Sequence, residues 1–326
     1  MVSTSDKIIQ YIKAKGQVSG YDIAEHVGIS RQALFKHLPK LISSGVITKI
    51  GTPPKVFYLI HKIKIEPKIS DFKISDKTKK IIADTFLIIT PAGNRKEGVE
   101  GFAYWCEKNI LPFEKTAEEY IKTLQKYDAY KKRGLISGLR KMKSTFAKVY
   151  LDEVFYLDFY SIERFGKTKL GQLLLYAKQS QNIKLMKDII KIIKPKVDGI
   201  IKKNKIDGIG FIPPTVKREH QLMRVLEKGL HENIRKISIV KIKTDVAVPQ
   251  KTLNKLEDRI ENARNTLVVN ENTVCRNILL IDDAVGSGST LNEVAKKIRE
   301  KNICKGKIIG LSITGSFKGF DVISEV

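Results

Sequence analysis

The sequence predicts a mixed α/β chain in three parts. A small module of helices and a hairpin opens it, a mostly helical segment follows, and a C-terminal doubly wound domain of parallel strands carries helices on both faces. Three observations carry this reading. Short helical patterns broken at Gly16 and Gly28 give way after Gly45 to two strand-like runs. The apolar run Ile278-Leu-Leu-Ile281 reads as a strand buried on both sides. Before it, a helical run at 183–194 alternates with strand-like runs at Ile206–Ile212 and Ile237–Ile242. A length of 326 residues suits two domains and a small third, with boundaries at 1–62, 63–149 and 150–326.

Composition narrows the function. Hydrophobic residues make up 42% of the chain, which excludes global disorder. No run approaches the roughly 18 apolar residues of a membrane helix. Met1–Ser5 followed by Asp6 lacks the basic start and apolar stretch of a secretory signal, so the expectation is a cytoplasmic protein with no membrane partner. Lys+Arg is 60 against Asp+Glu 35, a net charge of +25, which favours an anionic partner: nucleic acid first, phosphorylated small molecules second. Cys106, Cys275 and Cys304 are scattered and form no CxxC pair, so they read as reduced thiols without a zinc knuckle.

In the N-terminal module, Ile8, Ile9 and Ile12 recur at helical spacing within Asp6–Ala14, and Gly16 ends that helix. Tyr21–Val27 forms a second helix. Ser30 caps a third, in which Leu34, Leu38 and Leu41 face inward and Arg31, Gln32, Phe35 and Lys36 face out. Val46–Ile50 and Lys55–Ile60, joined by Gly51-Thr52-Pro53-Pro54, complete a winged helix-turn-helix. Residues 29–38 and 45–49 resemble winged-helix transcription regulators. By that resemblance Arg31, Gln32 and Lys36 reach the major groove of DNA, and Lys49 and Lys55 in the wing touch the backbone or minor groove. Residues 1–62 hold nine Lys/Arg against three Asp/Glu, a charge of +6. His26 and His37 have no partners at metal-ligand spacing.

Lys62–Lys80 reads as a linker or edge strand, and Ile81–Ala147 as mostly helical. Phe102, Tyr104, Trp105 and Phe113 form an aromatic cluster that suits a core. The basic runs Lys131–Arg133 and Arg140–Lys143 suit either a solvated face or a phosphate-contacting one. The segment receives no site.

The strongest signal is Asn277-Ile-Leu-Leu-Ile-Asp-Asp-Ala-Val-Gly-Ser-Gly-Ser-Thr290. A buried strand delivers Asp282 and Asp283 at its C-terminal edge, and Gly286-Ser287-Gly288-Ser289 lets backbone N–H groups converge. Thr290 and Glu293 match a capping box that opens a helix. Together these elements make an anion cradle at a sheet edge. The loop lacks the lysine of a Walker A motif, and Leu291 stands where a dinucleotide fingerprint needs its third glycine.

Residues 279–290 resemble the phosphoribosyl pyrophosphate (PRPP) motif of the phosphoribosyltransferases. The resemblance implies that Asp282 and Asp283, the catalytic pair, contact the ribose 2′- and 3′-hydroxyls. It assigns the 5′-phosphate to Gly286, Ser287, Gly288, Ser289 and Thr290, and it brings Mg²⁺ with the PRPP. Ala284 replaces the usual aliphatic residue, and Gly286 the usual Ser or Thr. The order of the flanking motifs over roughly 150–315 resembles the competence-protein-F family: Phe165–Lys178, Pro213–Gln221, then Pro249-Gln250, Leu253, Arg259 and Asn262. That resemblance places Lys217 and Arg218 at pyrophosphate and makes Lys251–Arg259 a mobile loop closing over it. The family's cysteine zinc finger is missing here, and the winged helix stands in its place.

Phe317 and Phe320 are candidates to stack on a base, although core packing suits them equally. No other base-binding hood is evident. The expected function is a DNA-binding regulator that senses PRPP or a nucleotide, with a homodimer as the arrangement that suits two half-sites. An active Mg²⁺-dependent phosphoribosyltransferase of nucleotide salvage is the alternative, and a single-strand-binding factor of the competence type is a third.

Overall fold

A computed structural model describes residues 3–60, 72–216, 218–230, 233–242, 244–246 and 248–316. The chain divides into two compact units, Met1–Asp71 and Phe72–Val326.

The first unit runs α1 (Thr4–Lys15), β1 (Gln17–Ser19), α2 (Gly20–Val27), α3 (Arg31–Ser43), β2 (Ile47–Thr52) and β3 (Lys55–Ile60). Each helix starts on a serine whose hydroxyl accepts a backbone N–H: Ser3, Ser19 and Ser30, the first two in capping boxes with Asp6 and Asp22. Ile8, Ile12, Ile23, Leu34, Leu38, Leu41 and Ile47 form the core. The wing is longer than the sequence suggested, because Gly51 and Thr52 pair with Val56 and Lys55. Gly51 has φ +83°, and a Cβ there would lie 2.2 Å from the Lys55 carbonyl oxygen, so only glycine closes this hairpin. The sequence reading also missed β1. Three residues carry no period of their own, and only pairing with β3 makes them a strand.

The second unit is a three-layer α/β/α body. Its first part holds α4 (Asp76–Thr85), β4 (Leu87–Ile89), β5 (Arg95–Glu97), α5 (Gly98–Lys108), α6 (Phe113–Asp128), β6 (Lys131–Lys132), β7 (Leu135–Ser137) and α7 (Leu139–Thr145). Then come β8 (Glu153–Phe159), β9 (Ser161–Ile162), β10 (Gly166–Lys167), α8 (Lys169–Gln179), α9 (Ile183–Asn204), β11 (Gly208–Phe211), α10 (Leu222–Gly229), β12 (Arg235–Ile237) and β13 (Ile239–Lys241). A 3-10 turn (Gln250–Thr252), α11 (Leu256–Thr266), β14 (Leu267–Val269), β15 (Ile278–Val285), α12 (Ser289–Glu300) and β16 (Ile308–Gly315) complete it.

The main sheet has the order β12-β11-β15-β16-β8-β7-β6. Its pairs from β12 to β8 are parallel, and β7 and β6 add antiparallel strands at one edge. Alternate residues supply the two faces, as a strand period of two requires. Ile278, Leu280 and Ile308 pack with α5, α6, α11 and α12, while Leu279, Ile281, Ile309, Leu311 and Ile313 pack with α8, α9 and α10.

Three sequence expectations change here. The helix expected at 183–194 continues through Pro195 to Asn204, because Ile193, Val197 and Ile200 keep the buried 3–4 spacing and outweigh one lost hydrogen bond. The strand expected at 237–242 splits at Ser238: β12 stays in the main sheet, whereas β13 leaves to pair with β14. The middle segment is not only helical, since it contributes the edge strands β6 and β7 and the hairpin of β4 and β5. Of the expected linker, residues 62–71 lie outside the described residues, and α4 already begins at Asp76. The three cysteines are free and buried.

Candidate functional site

A cavity of about 220 Å³ opens at the C-terminal ends of β11 and β15. Its walls come from β15 and the loop into α12 (Asp282–Thr290), the loop after β11 (Ile212–Val216 and Arg218), Lys178 of α8, Lys241 of β13, and Gln250 and Arg259. Asp282, Asp283, Gly286, Ser287, Gly288, Ser289, Thr290 and Arg218 are therefore brought together, while Lys217, Phe317 and Phe320 lie outside the described residues.

The acid pair sits within β15 rather than at its end. Asp282 stands opposite Ser312 and Ala284 opposite Thr314, so pairing to β16 keeps the backbone extended as far as Val285. The Asp283 N–H donates to Asp282 Oδ1 at 2.8 Å. Burial and the neighbouring Asp283 carboxylate push the Asp282 carboxyl up to about 7, against the pull of that N–H, Lys178 and Lys241. Lys178 Nζ donates to Asp283 Oδ2 at 2.7 Å, and Arg218 Nη1 ties the loop to α8 through the Lys178 carbonyl at 2.6 Å. Burial lowers the pKa of Lys241, whose Nζ donates to Thr215 Oγ1 at 2.8 Å.

The capping box expected from Thr290 and Glu293 does not form. The helix starts two residues earlier, at Ser289, with Gly288 as a left-handed N-cap that offers no side-chain acceptor. Glu293 instead lies buried near Arg264, at 3.7 Å. The first turn of α12 thus faces the cavity without a side-chain cap, as an anion site requires. Ser287 Oγ accepts from the Ser289 N–H at 3.3 Å and donates to Ser289 Oγ at 3.0 Å, which shapes the turn.

Two features were not legible in the sequence. Met142 of α7 lies against Gly288, and Asn292 of α12 is clamped by the Tyr150 N–H and the Lys148 carbonyl, so the middle segment buttresses the loop. The stretch 251–259, expected as a mobile loop, runs from a 3-10 turn into the start of α11 and is crossed by side-chain-to-backbone bonds. Gln250 Nε2 donates to the Arg259 carbonyl (2.9 Å), Arg259 Nε to the Leu253 carbonyl (2.8 Å) and Asn262 Nδ2 to the Val248 carbonyl (3.4 Å). Gln250 Oε1 and Arg259 Nη2 have no hydrogen-bond partner among the described residues.

In the first unit, Arg31, Gln32 and Lys36 occupy the solvent side of α3, opposite Leu34, Leu38 and Leu41, and Lys49 and Lys55 are exposed on the wing. Exposed Phe35 shares the α3 surface. Tyr21, which the sequence reading did not single out, carries the Arg31 guanidinium 5.2 Å from its ring centroid. His26 stacks on Tyr11 and His37 bonds Ser5 Oγ. Among the described residues, no group of three or more His, Cys, Asp or Glu is placed to hold a metal.

Residues 4–48 match the winged helix-turn-helix DNA-binding family. No curated protein matches the chain. Among solved structures, the chain is similar to a hypoxanthine-guanine phosphoribosyltransferase from Bacillus anthracis, with 13% identity, a TM-score of 0.27, and coverage of 41% of this chain and 70% of that one. It is also similar to a hypoxanthine phosphoribosyltransferase from Staphylococcus aureus, with 12% identity, a TM-score of 0.23, and coverage of 40% and 74%. No helix among the described residues is long and apolar enough to cross a membrane.

The Asp282 environment leads to a pH test. Between its ordinary value of 3.8 and about 7, the folded chain keeps a proton that the unfolded chain has lost, so stability falls as pH rises through that window. Asp282→Asn removes the penalty. Its melting temperature should equal that of the wild type near pH 4 and exceed it at pH 8, by a gain on the order of 2 kcal/mol after allowing for the open cavity. A difference independent of pH in thermal melts would show that this carboxyl titrates normally.

Proposed function

We propose that this chain is a DNA-binding regulator whose α/β unit binds PRPP or a related phosphorylated nucleotide. One observation carries the reading: the acid pair and the uncapped start of α12 open into the same cavity, beside Lys178, Arg218 and Lys241. Carboxylates accept hydrogen bonds from a diol, a helix N-terminus holds a phosphate, and flanking cations hold further phosphate oxygens. In this reading Asp282 and Asp283 take the ribose hydroxyls, with Lys178 giving up its hold on Asp283. Residues 286–290 grip the 5′-phosphate, and Arg218 and Lys241 face the pyrophosphate.

Mg²⁺ fits as an ion that arrives with the ligand. Two adjacent carboxylates are too few for a protein-held cage, but they suit Mg²⁺ shared with phosphate oxygens. Bound there, it would neutralise pyrophosphate charge. In the first unit, Arg31 and Gln32 are side chains that pair bidentately with base edges, and Lys36, Lys49 and Lys55 suit backbone contacts. Regulation follows if the ligand binds one DNA-binding state better than the other.

Calorimetric titration of PRPP with Mg²⁺ tests the pocket. The wild type should bind, and Asp282→Ala/Asp283→Ala should lose about 100-fold or more in affinity, as removal of charged hydrogen-bond partners implies. Equal binding by both proteins, or none by the wild type, overturns the reading. DNA selection with and without PRPP then tests the coupling. Pyrophosphate release with an added base would place the chain among the transferases instead.

A further inference from the structure

One stretch of strong basic charge lies along a single long helix of the α/β unit. Residues 184–205 hold eight lysines against two aspartates, +6 in 22 residues, which matches the whole charge of residues 1–62. Asp188 is engaged by Arg95 at 2.6 Å, and Asp198 is half-buried. α9 turns Met186, Ile189, Ile193, Val197 and Ile200 into the core. At about 100° per residue, Lys184, Lys187, Lys191, Lys194 and Lys202 fall on the opposite side, within an arc of roughly 80°. All five are exposed. At about 1.5 Å per residue the row is roughly 27 Å long.

α10 packs beside it, since a Cβ at Gly229 would lie 2.6 Å from Ile190, and α10 exposes Arg224 and Lys228. None of these seven cations is ion-paired among the described residues. Lysines elsewhere do sit on acids, as in Lys96–Glu100, Lys126–Glu163, Lys131–Asp158 and Lys307–Glu153.

We propose that this face of α9, extended by α10, is a second contact for duplex DNA, gripping its phosphate backbone without regard to sequence. A small anion needs converging donors, whereas these cations are strung along a convex helix, which suits an extended polyanion. Duplex DNA presents one charge per about 1.7 Å of axis, so a row of this length runs beside many phosphates. A membrane surface suits it poorly, because the apolar side of α9 is committed to the core and cannot enter a lipid interface. The proposal stands on this surface alone and does not depend on the cavity or on what the winged helix reads.

The test is fluorescence anisotropy of the full chain on a mixed-sequence duplex over a range of salt concentrations. Four neutralisations at Lys184, Lys187, Lys191 and Lys194, each Lys→Gln, should make the slope of log affinity against log salt shallower by about 2–4. At 0.1 M salt they should weaken binding about tenfold or more. A control removing the same charge from exposed Lys73, Lys77, Lys115 and Lys122 should change the slope by less than about 1. Glutamine keeps helix propensity. If the fourfold variant fails to fold, Lys191→Gln and Lys194→Gln taken singly should each lower the slope by about 1. Equal slopes for the row and the control overturn the proposal, as does a variant that loses binding to phosphatidylserine vesicles while its DNA binding is unchanged.

Discussion

Phe102→Ala should cost about 3–5 kcal/mol, the range for truncating a fully buried aromatic, against a total stability of roughly 5–15 kcal/mol for a domain. Phe102 is 0% exposed and lies at the centre of a ring cluster. Phe86 and Phe113 meet it edge-on at 5.1 and 5.5 Å, and Tyr120 and Trp105 lie at 5.2 and 6.0 Å. Trp105 and Tyr120 in turn contact Phe165, so the loss is felt in the sheet-bearing part of the unit as well. Urea denaturation should show a much lower midpoint, and melting of residues 72–316 as one cooperative body. A loss below about 1 kcal/mol would mean that the cluster relaxes into the cavity, which close packing disfavours. Tyr104→Ala is the contrast. Its ring is half-exposed between the Lys96 and Lys108 ammonium groups, so its loss should be small.

Gly288→Ala should be the most damaging single change in the phosphate loop. Gly288 has φ +81°, where an alanine is strained by roughly 1–2 kcal/mol. Its Cβ would also lie 3.1 Å from the buried Met142 sulfur and methyl group. Together these costs give about 2–3 kcal/mol of lost stability, as overpacking and backbone strain combine. The two causes are separable by a double-mutant cycle with Met142→Ala. The steric part should be recovered as a coupling energy of about 1 kcal/mol, and the backbone part should remain. No coupling would show that α7 does not brace the loop.

How much of this protein is written locally is visible at particular residues. The three helices, the Ser30 cap, the inward leucines of α3 and the wing come from short-range chemistry, and a reader of the sequence finds them. The same holds for β15. Four consecutive apolar residues, all 0–1% exposed, name a strand covered on both faces, and the acids and glycines after it name the loop. Local reading fails where a residue's state depends on a distant partner. Thr290 and Glu293 have the spacing of a capping box, but Gly288 takes the cap position and Glu293 turns inward near Arg264. Lys251–Arg259 reads as a basic loop in sequence, and the bonds of Gln250, Arg259 and Asn262 to carbonyls across it show only in the fold.

By itself, the sequence determined the α/β class, the winged helix with its outward Arg31, Gln32 and Lys36, and the order of strand, acid pair and glycine loop. Those features depend on capping, periodicity and backbone freedom within a few residues of one another. Only the tertiary structure decided that Lys178 reaches Asp283, that Met142 lies on Gly288, that Lys241 flanks Asp282 and that Gly229 of α10 packs on Ile190 of α9. These are pairings across long stretches of chain, made when parallel strands stack and helices cover both faces. No periodicity encodes them, because the residues meet only after the sheet has formed.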